Sequence, residues 1–158
     1  MKPPFWALCI GTGFGAGFSP VAPGTAGALL AVAIWTTLRF FISPSAFCGI
    51  TALLIVCFTI VGALAADRLE KHWGEDPSRV VVDEMVGVWI PLLVVPHTGQ
   101  WWMYAIAAFV LFRLFDITKP LGIRRMESLK GGMGIMMDDI LAGVYSLILI
   151  AGFKWIIG

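Results

Sequence analysis

Residues 80–96, VVVDEMVGVWIPLLVVP, form an apolar run broken only by an adjacent carboxylate pair, Asp83-Glu84, near its start. A membrane helix needs about 20 apolar residues, or about 17 where the bilayer thins, so this run is long enough to be embedded only if both acids belong to it. An ionised carboxylate at the bilayer centre costs about 2.5 to 3.5 kcal/mol even on a lenient insertion scale. Asp83 and Glu84 are therefore expected inside a helix bundle near headgroup depth, away from lipid.

The same pattern recurs on either side of two later apolar segments. Asp116 lies in FRLFDITKP (112–120) and Asp138-Asp139 end GGMGIMMDD (131–139), so five of the ten acidic residues border or enter apolar sequence. Such acids ask for a compensating cation. Oxygen-only donors select hard ions, and Mg2+ takes one or two carboxylates, several waters and the oxygens of a bound phosphate. Neither His72 nor His97 has a partner at metal-ligand spacing, which argues against zinc. The plain alternative for the acids is helix capping or pairing with nearby Arg and Lys.

The chain has 158 residues, 59% of them apolar, and a mean hydropathy of +0.89. A soluble domain holds roughly 45–50% apolar residues, so a single integral membrane domain over 1–158 is expected. The net charge of +1, without any basic run, gives no footprint for nucleic acid. Cys9, Cys48 and Cys57 are odd in number and lack CxxC spacing, so buried, inert thiols are expected. The start, MKPPFWALCIGTG, has no cleavage site after a proper apolar core, so no removable signal peptide is expected. Residues 2–18 fit a re-entrant segment, an interfacial helix or a packed lid.

Apolar stretches at 27–42, 46–65, 85–95, 101–115 and 140–157 predict an all-α membrane bundle of about five embedded helices. Prolines punctuate them at Ser43-Pro44-Ser45, at Pro96 and at Pro120. Alternation across the membrane places the segment before Gly27 together with 67–79 and 116–139 on one side. That side carries Arg68, Lys71, Arg79, Lys119, Arg124, Arg125 and Lys130, which makes it cytoplasmic by the positive-inside rule. All five clustered acids then share the cytoplasmic face, where the loops are expected to form the site. Trp101, Trp102 and Tyr104, beside the opposite turn, suit an aromatic interface belt.

Arg113, Asp116 and Lys119 fall at i, i+3 and i+6 before a proline, on one side of a helix end. A carboxylate and two cations there can hold a metal and grip a phosphate, or the cations can snorkel and simply neutralise Asp116. In GTGFGAGFSPVAPGTAG (11–27), Gly24 and Thr25 open the first long helix. They either present N–H groups and a hydroxyl to an anion or serve close helix packing. The dinucleotide-like glycine spacing in this run has no strand around it and carries no weight. GGMGIMM is expected to be a loop that approaches a backbone closely and positions Asp138-Asp139. A thiol-phosphatase Cys/Arg motif, an aspartyl-phosphate DxD pair and a histidine-nucleophile motif are all missing from the sequence, so any phosphatase chemistry must lean on metal.

Four ordered runs, GFGAGFSPVAPGTAGAL (13–29), VVVDEMVGVWI (80–90), FRLFDITKPLGIRRME (112–127) and GGMGIMMDDILAGVYS (131–146), resemble the phosphatidylglycerophosphatase A family of bacterial membrane lipid phosphatases. The resemblance implies Mg2+-dependent hydrolysis of phosphatidylglycerol phosphate at the cytoplasmic face of the inner membrane. By position it implies Asp83, Glu84, Asp116, Asp138 and Asp139 as catalytic and metal-binding residues, around one Mg2+ or a pair. Lys119, Arg113 and Arg124, with Gly24 and Thr25, would hold the phosphate, Lys119 also serving the chemistry. The chain departs from the family pattern at Leu121-Gly122, where a KPxPI run is common, at Glu127, where Asp is common, and at Ala28, where Ser is common; Glu127 is therefore left outside the expected core site. Competing classes are a cation transporter, which would stagger acids across the membrane, and a CDP-lipid transferase, which would carry a DGx2AR run that is absent here.

Overall fold

In the computed structural model, which describes residues 2–157, the regular elements are all helical: α1 (Phe5–Gly11), a 3-10 turn (Ala16–Phe18), α2 (Pro23–Phe41), α3 (Pro44–Trp73), α4 (Val82–Leu92), α5 (Trp101–Thr118), α6 (Ile123–Met126) and α7 (Gly131–Ile157). Among the described residues α2, α3, α5 and α7 are long and apolar enough to cross a membrane. The fifth embedded helix, α4, has 11 residues. At 1.5 Å per residue it covers about 16 Å, roughly half of a hydrocarbon core. Every residue of α4 except Glu84 is buried in protein, so it is a half-helix enclosed by the four long ones.

Pro91 sets that length. Lacking an N–H, it leaves the Gly87 carbonyl without its helical donor, and the chain tightens into Leu93 N–H to Ile90 and Val94 N–H to Pro91 bonds before leaving the helix. A Cβ on Gly143 of α7 would strike the Gly87 carbonyl, and a Cβ on Gly87 would strike the Phe112 ring. Both glycines thus let α4 sink between α5 and α7. Trp89, 1% exposed, donates its indole N–H to the Ala31 carbonyl at 2.9 Å and ties α4 to α2.

Contacts at both ends fix the direction of each helix. At one end Gly24 of α2 lies against Glu84 of α4, and Asp67 of α3 accepts the Gly132 N–H at the start of α7. At the far end Arg39 of α2 donates to the Pro96 carbonyl at 2.9 Å, and Lys154 of α7 donates to the Val94 carbonyl at 3.3 Å. Helices α2, α4 and α7 therefore run away from the acid-bearing end and α3 and α5 return to it, as the alternation of apolar segments predicts.

Three expectations are corrected. The GGMGIMM run is the opening of α7 rather than a loop: Asp67 caps it, and Gly132 and Gly134 sit so close to the Ala63 and Leu129 carbonyls that any Cβ would collide. Cys48 and Cys57 are exposed on α3 instead of buried; on a membrane-spanning helix the apolar surroundings that suit a thiol can be lipid. Trp101 turns inward, with the Arg39 guanidinium 4.8 Å from its ring centre, while Trp102 remains exposed.

The N-terminal segment packs on the acid-bearing end. Ala7 and Leu69 share a buried cluster, Gly11 lies against Leu69, and the Gly11 carbonyl accepts the Val81 N–H at 2.8 Å. Phe5, Trp6 and Phe14 stay exposed, the pattern of an interfacial helix.

Helix α7 carries two glycines with opposite surroundings. Gly132→Ala forces α3 and α7 apart at backbone level and is expected to lower stability by about 1–3 kcal/mol. Gly152 has open space around its Cα, so Gly152→Ala is expected to raise the unfolding temperature through better helix propensity. Thermal unfolding of both variants in detergent checks the pair; equal shifts would contradict this packing.

Candidate active site

The first turn of α4 supplies Asp83 and Glu84. Neighbouring helix positions diverge by about 100°, so the two carboxylates serve different groups. Oxygens of Asp83, Asp138 and Asp139 lie within 4.8 Å of one another, and so do oxygens of Glu84, Asp116 and Asp139. Asp139 belongs to both sets. Side chains from α4, α5 and α7 thus meet at one end of the bundle.

Two cations reach the cluster. Arg113 pairs with Asp116 one helical turn away, and Lys119 bonds Asp138 at 2.7 Å and Glu127 at 2.6 Å. The second Asp138 oxygen accepts the Asp139 N–H at 3.0 Å. Lys119 follows α5 in the left-handed region, φ 47°, a conformation costing a non-glycine residue about 1 kcal/mol. Partial burial disfavours its charge, but the bonds to Asp138 and Glu127 outweigh that and hold its pKa above the ordinary lysine value. Lys119 is therefore charged throughout the neutral range.

What the cluster leaves unmade is as telling. Asp83 Oδ1, Glu84 Oε2 and Asp139 Oδ2 are buried acceptors without a donor, and Arg113 Nε is a buried donor without an acceptor. Asp83 is 8% exposed and Asp139 2%. Buried polar atoms in folded proteins are nearly always partnered, so orphaned carboxylate oxygens on members of both groups fit hard divalent cations. At Gly24 a Cβ would collide with the Glu84 carboxylate beside Arg113. Glycine here lets the positive N-terminus of α2 lie directly against the Glu84 carboxylate.

Of the residues singled out in the sequence, Asp83, Glu84, Asp116, Asp138, Asp139, Arg113, Lys119 and Gly24 converge. Thr25 is half-buried one position further along α2, and Arg124 is exposed on α6, outside the ring of paired charges. Glu127, left outside the core site by the sequence reading because Asp is common there in the family, is the second partner of Lys119. Its signal was an acidic position in the family pattern, eight residues beyond Lys119 across a turn that sequence spacing does not resolve. A cavity of about 300 Å³, lined by Glu70, Glu75, Asp76, Glu127, Lys130 and Asp138 among others, opens beside this pair and gives the cluster a polar mouth.

The family model for phosphatidylglycerophosphatase A matches residues 9–154. A protein of Bacteroides thetaiotaomicron named "Putative phosphatidylinositol-3-phosphatase" is 64% identical over 157 residues, covering 99% of both chains. The phosphatidylglycerophosphatase A of Escherichia coli is 37% identical over 97% of this chain and 87% of its own, and that of Haemophilus influenzae 37% identical over 92% and 87%. No solved structure matches. With nearly the whole chain matched, converging acids included, the protein belongs to the phosphatidylglycerophosphatase A family and is a membrane-embedded phosphatase.

Proposed function

We propose that the protein hydrolyses phosphatidylglycerol phosphate to phosphatidylglycerol and inorganic phosphate at the cytoplasmic face of the bacterial inner membrane, using Mg2+ held by Asp83, Glu84, Asp116, Asp138 and Asp139. The observation that carries this reading is the convergence of these carboxylates, three with unpartnered buried oxygens, beside two cations at one end of the bundle. Acids staggered along a path would suit a transporter; these meet at one depth.

A bound Mg2+ supplies polarisation of the phosphate and a water of lowered pKa. The chain's own groups do the rest. Arg113 keeps Nε unpaired while its Nη1 holds Asp116, leaving a donor for a phosphate oxygen. Lys119, fixed between Asp138 and Glu127, offers permanent positive charge where negative charge builds in the transition state. The N-terminus of α2 at Gly24 and Thr25 adds partial positive charge. Arg124, exposed next to the turn, suits the outer part of the headgroup. The acyl tails stay in the bilayer, because exposed apolar groups such as Phe5, Phe14, Val21 and Leu121 surround this end of the bundle.

The 64% identity to a protein named for phosphatidylinositol 3-phosphate favours a second reading, in which that lipid is the substrate. Both are membrane-borne phosphomonoesters, so the metal and cation roles are common to them and only headgroup fit differs.

Phosphate release from the purified protein in mixed micelles separates the two lipids. The expected result is Mg2+-dependent release, abolished by chelator, with higher kcat/KM on phosphatidylglycerol phosphate and little turnover of soluble phosphomonoesters. Equal efficiency on a soluble ester would contradict a lipid site, and preference for the inositol lipid would reassign the substrate.

Lys119→Met is expected to cut kcat by about 100-fold or more, the scale seen when one transition-state donor is removed. Arg124→Ala is expected to raise KM and leave kcat close to wild type, the mark of uniform binding. Steady-state kinetics on both variants test the assignment; a kcat loss confined to Arg124→Ala would reverse the two roles.

A further inference from the structure

We infer that the acid cluster is a two-ion site in which Asp139 is the shared ligand: Asp83 and Asp138 join it around one divalent cation, Glu84 and Asp116 around the other. The inference deepens the reading of a metal-dependent phosphatase and rests on it.

The two sets are built alike. Each contains one acid already tied to a cation, Asp138 to Lys119 and Asp116 to Arg113. Each contains one acid with an unpartnered buried oxygen, Asp83 Oδ1 and Glu84 Oε2. Each is completed by Asp139, which has its own orphaned Oδ2 and is 2% exposed. A carboxylate has two oxygens, so one side chain can serve two ions at once. Adjacent positions in α4 put Asp83 in the group with Asp138 and Glu84 in the group with Asp116, and Asp139 is common to both.

Charge favours the same count. Six ionised carboxylates, with Glu127 counted because it shares Lys119, against Arg113 and Lys119 leave the cluster four negative charges in excess. One divalent ion leaves it net negative and repulsive toward a phosphate dianion. Two neutralise it, so that the repulsion is removed and a phosphate can approach Arg113 and Lys119. Paired ions in phosphoryl-transfer sites sit about 3.5–4 Å apart, a separation that a shared carboxylate spans.

Manganese(II) is the probe, because it substitutes for hard divalent ions and nearby pairs couple magnetically. Equilibrium dialysis with metal analysis gives the number of ions per chain, and low-temperature paramagnetic resonance on the detergent-purified protein reports coupling. The wild type is expected to saturate at two Mn2+ with a coupled spectrum. Asp83→Asn and Asp116→Asn are each expected to keep one Mn2+ with an uncoupled signal, whereas Asp139→Asn is expected to weaken Mn2+ binding at both sites. A wild type that saturates at one Mn2+, or binds two without coupling, overturns the inference, and this result stands even if a variant fails to fold. Phosphate release in the same preparation separates the claims: a one-ion chain active on the lipid leaves the phosphatase reading intact, and a coupled two-ion chain inactive on either lipid sinks that reading instead.

Discussion

An excess of buried negative charge is the constraint on which this bundle depends. Asp83, Glu84, Asp116, Asp138 and Asp139 come together among apolar helices with two cations to oppose them. Leaving an ion uncompensated in such surroundings costs several kcal/mol, so the fold is arranged around lowering that cost. Arg113 and Lys119 are drawn in, the N-terminus of α2 is pressed onto Glu84 through Gly24, and the acids are kept at the end of the bundle instead of its middle. The shortness of α4 belongs to the same arrangement. A helix that only has to carry two acids into the interior from one end needs no full span, and Pro91 stops it once Trp89 has anchored it to α2.

The glycines of α7 and α4 follow from depth of packing. Gly87, Gly132 and Gly143 each lie where a Cβ would meet another backbone or a buried ring, as expected when helices associate without a hydrophobic driving force and depend on close approach. The sequence pattern showed small residues there, but Gly131–Met137 reads as a loop because glycine lowers helix propensity by about 1 kcal/mol per residue. The cap from Asp67 and the contact with Ala63 overcome that preference, and both come from α3, distant in sequence.

That distinction separates what was legible from what was not. The run 80–96, with acids inside an apolar stretch, was enough to place Asp83 and Glu84 in the interior, and alternation of five segments brought all the acids to one end. The pairing of Lys119 with Asp138 and Glu127 depends on how α5, α6 and α7 meet, and no spacing rule reports it. The exposure of Cys48 and Cys57 was hidden for another reason: in a membrane bundle the lipid face is as apolar as the core, so hydropathy carries no inside-outside information along α3.

The ion pairs also bear on how the site works. Asp138 is held by Lys119 and by the Asp139 N–H, and Asp116 by Arg113, before any ligand arrives. These acids are fixed by bonds that use only part of their acceptor capacity, since an ionised carboxylate accepts several. A cation entering between them and the unpartnered oxygens of Asp83, Glu84 and Asp139 meets donors already in position, so little of its binding energy goes into ordering side chains. In the proposed reaction the same pairs would place Lys119 and Arg113 beside both the ion and the phosphate. Positioning and charge complementarity, the two means by which phosphoryl transfer is accelerated, therefore come from one set of contacts. On that reading, weakening any one of them would disturb metal and substrate together.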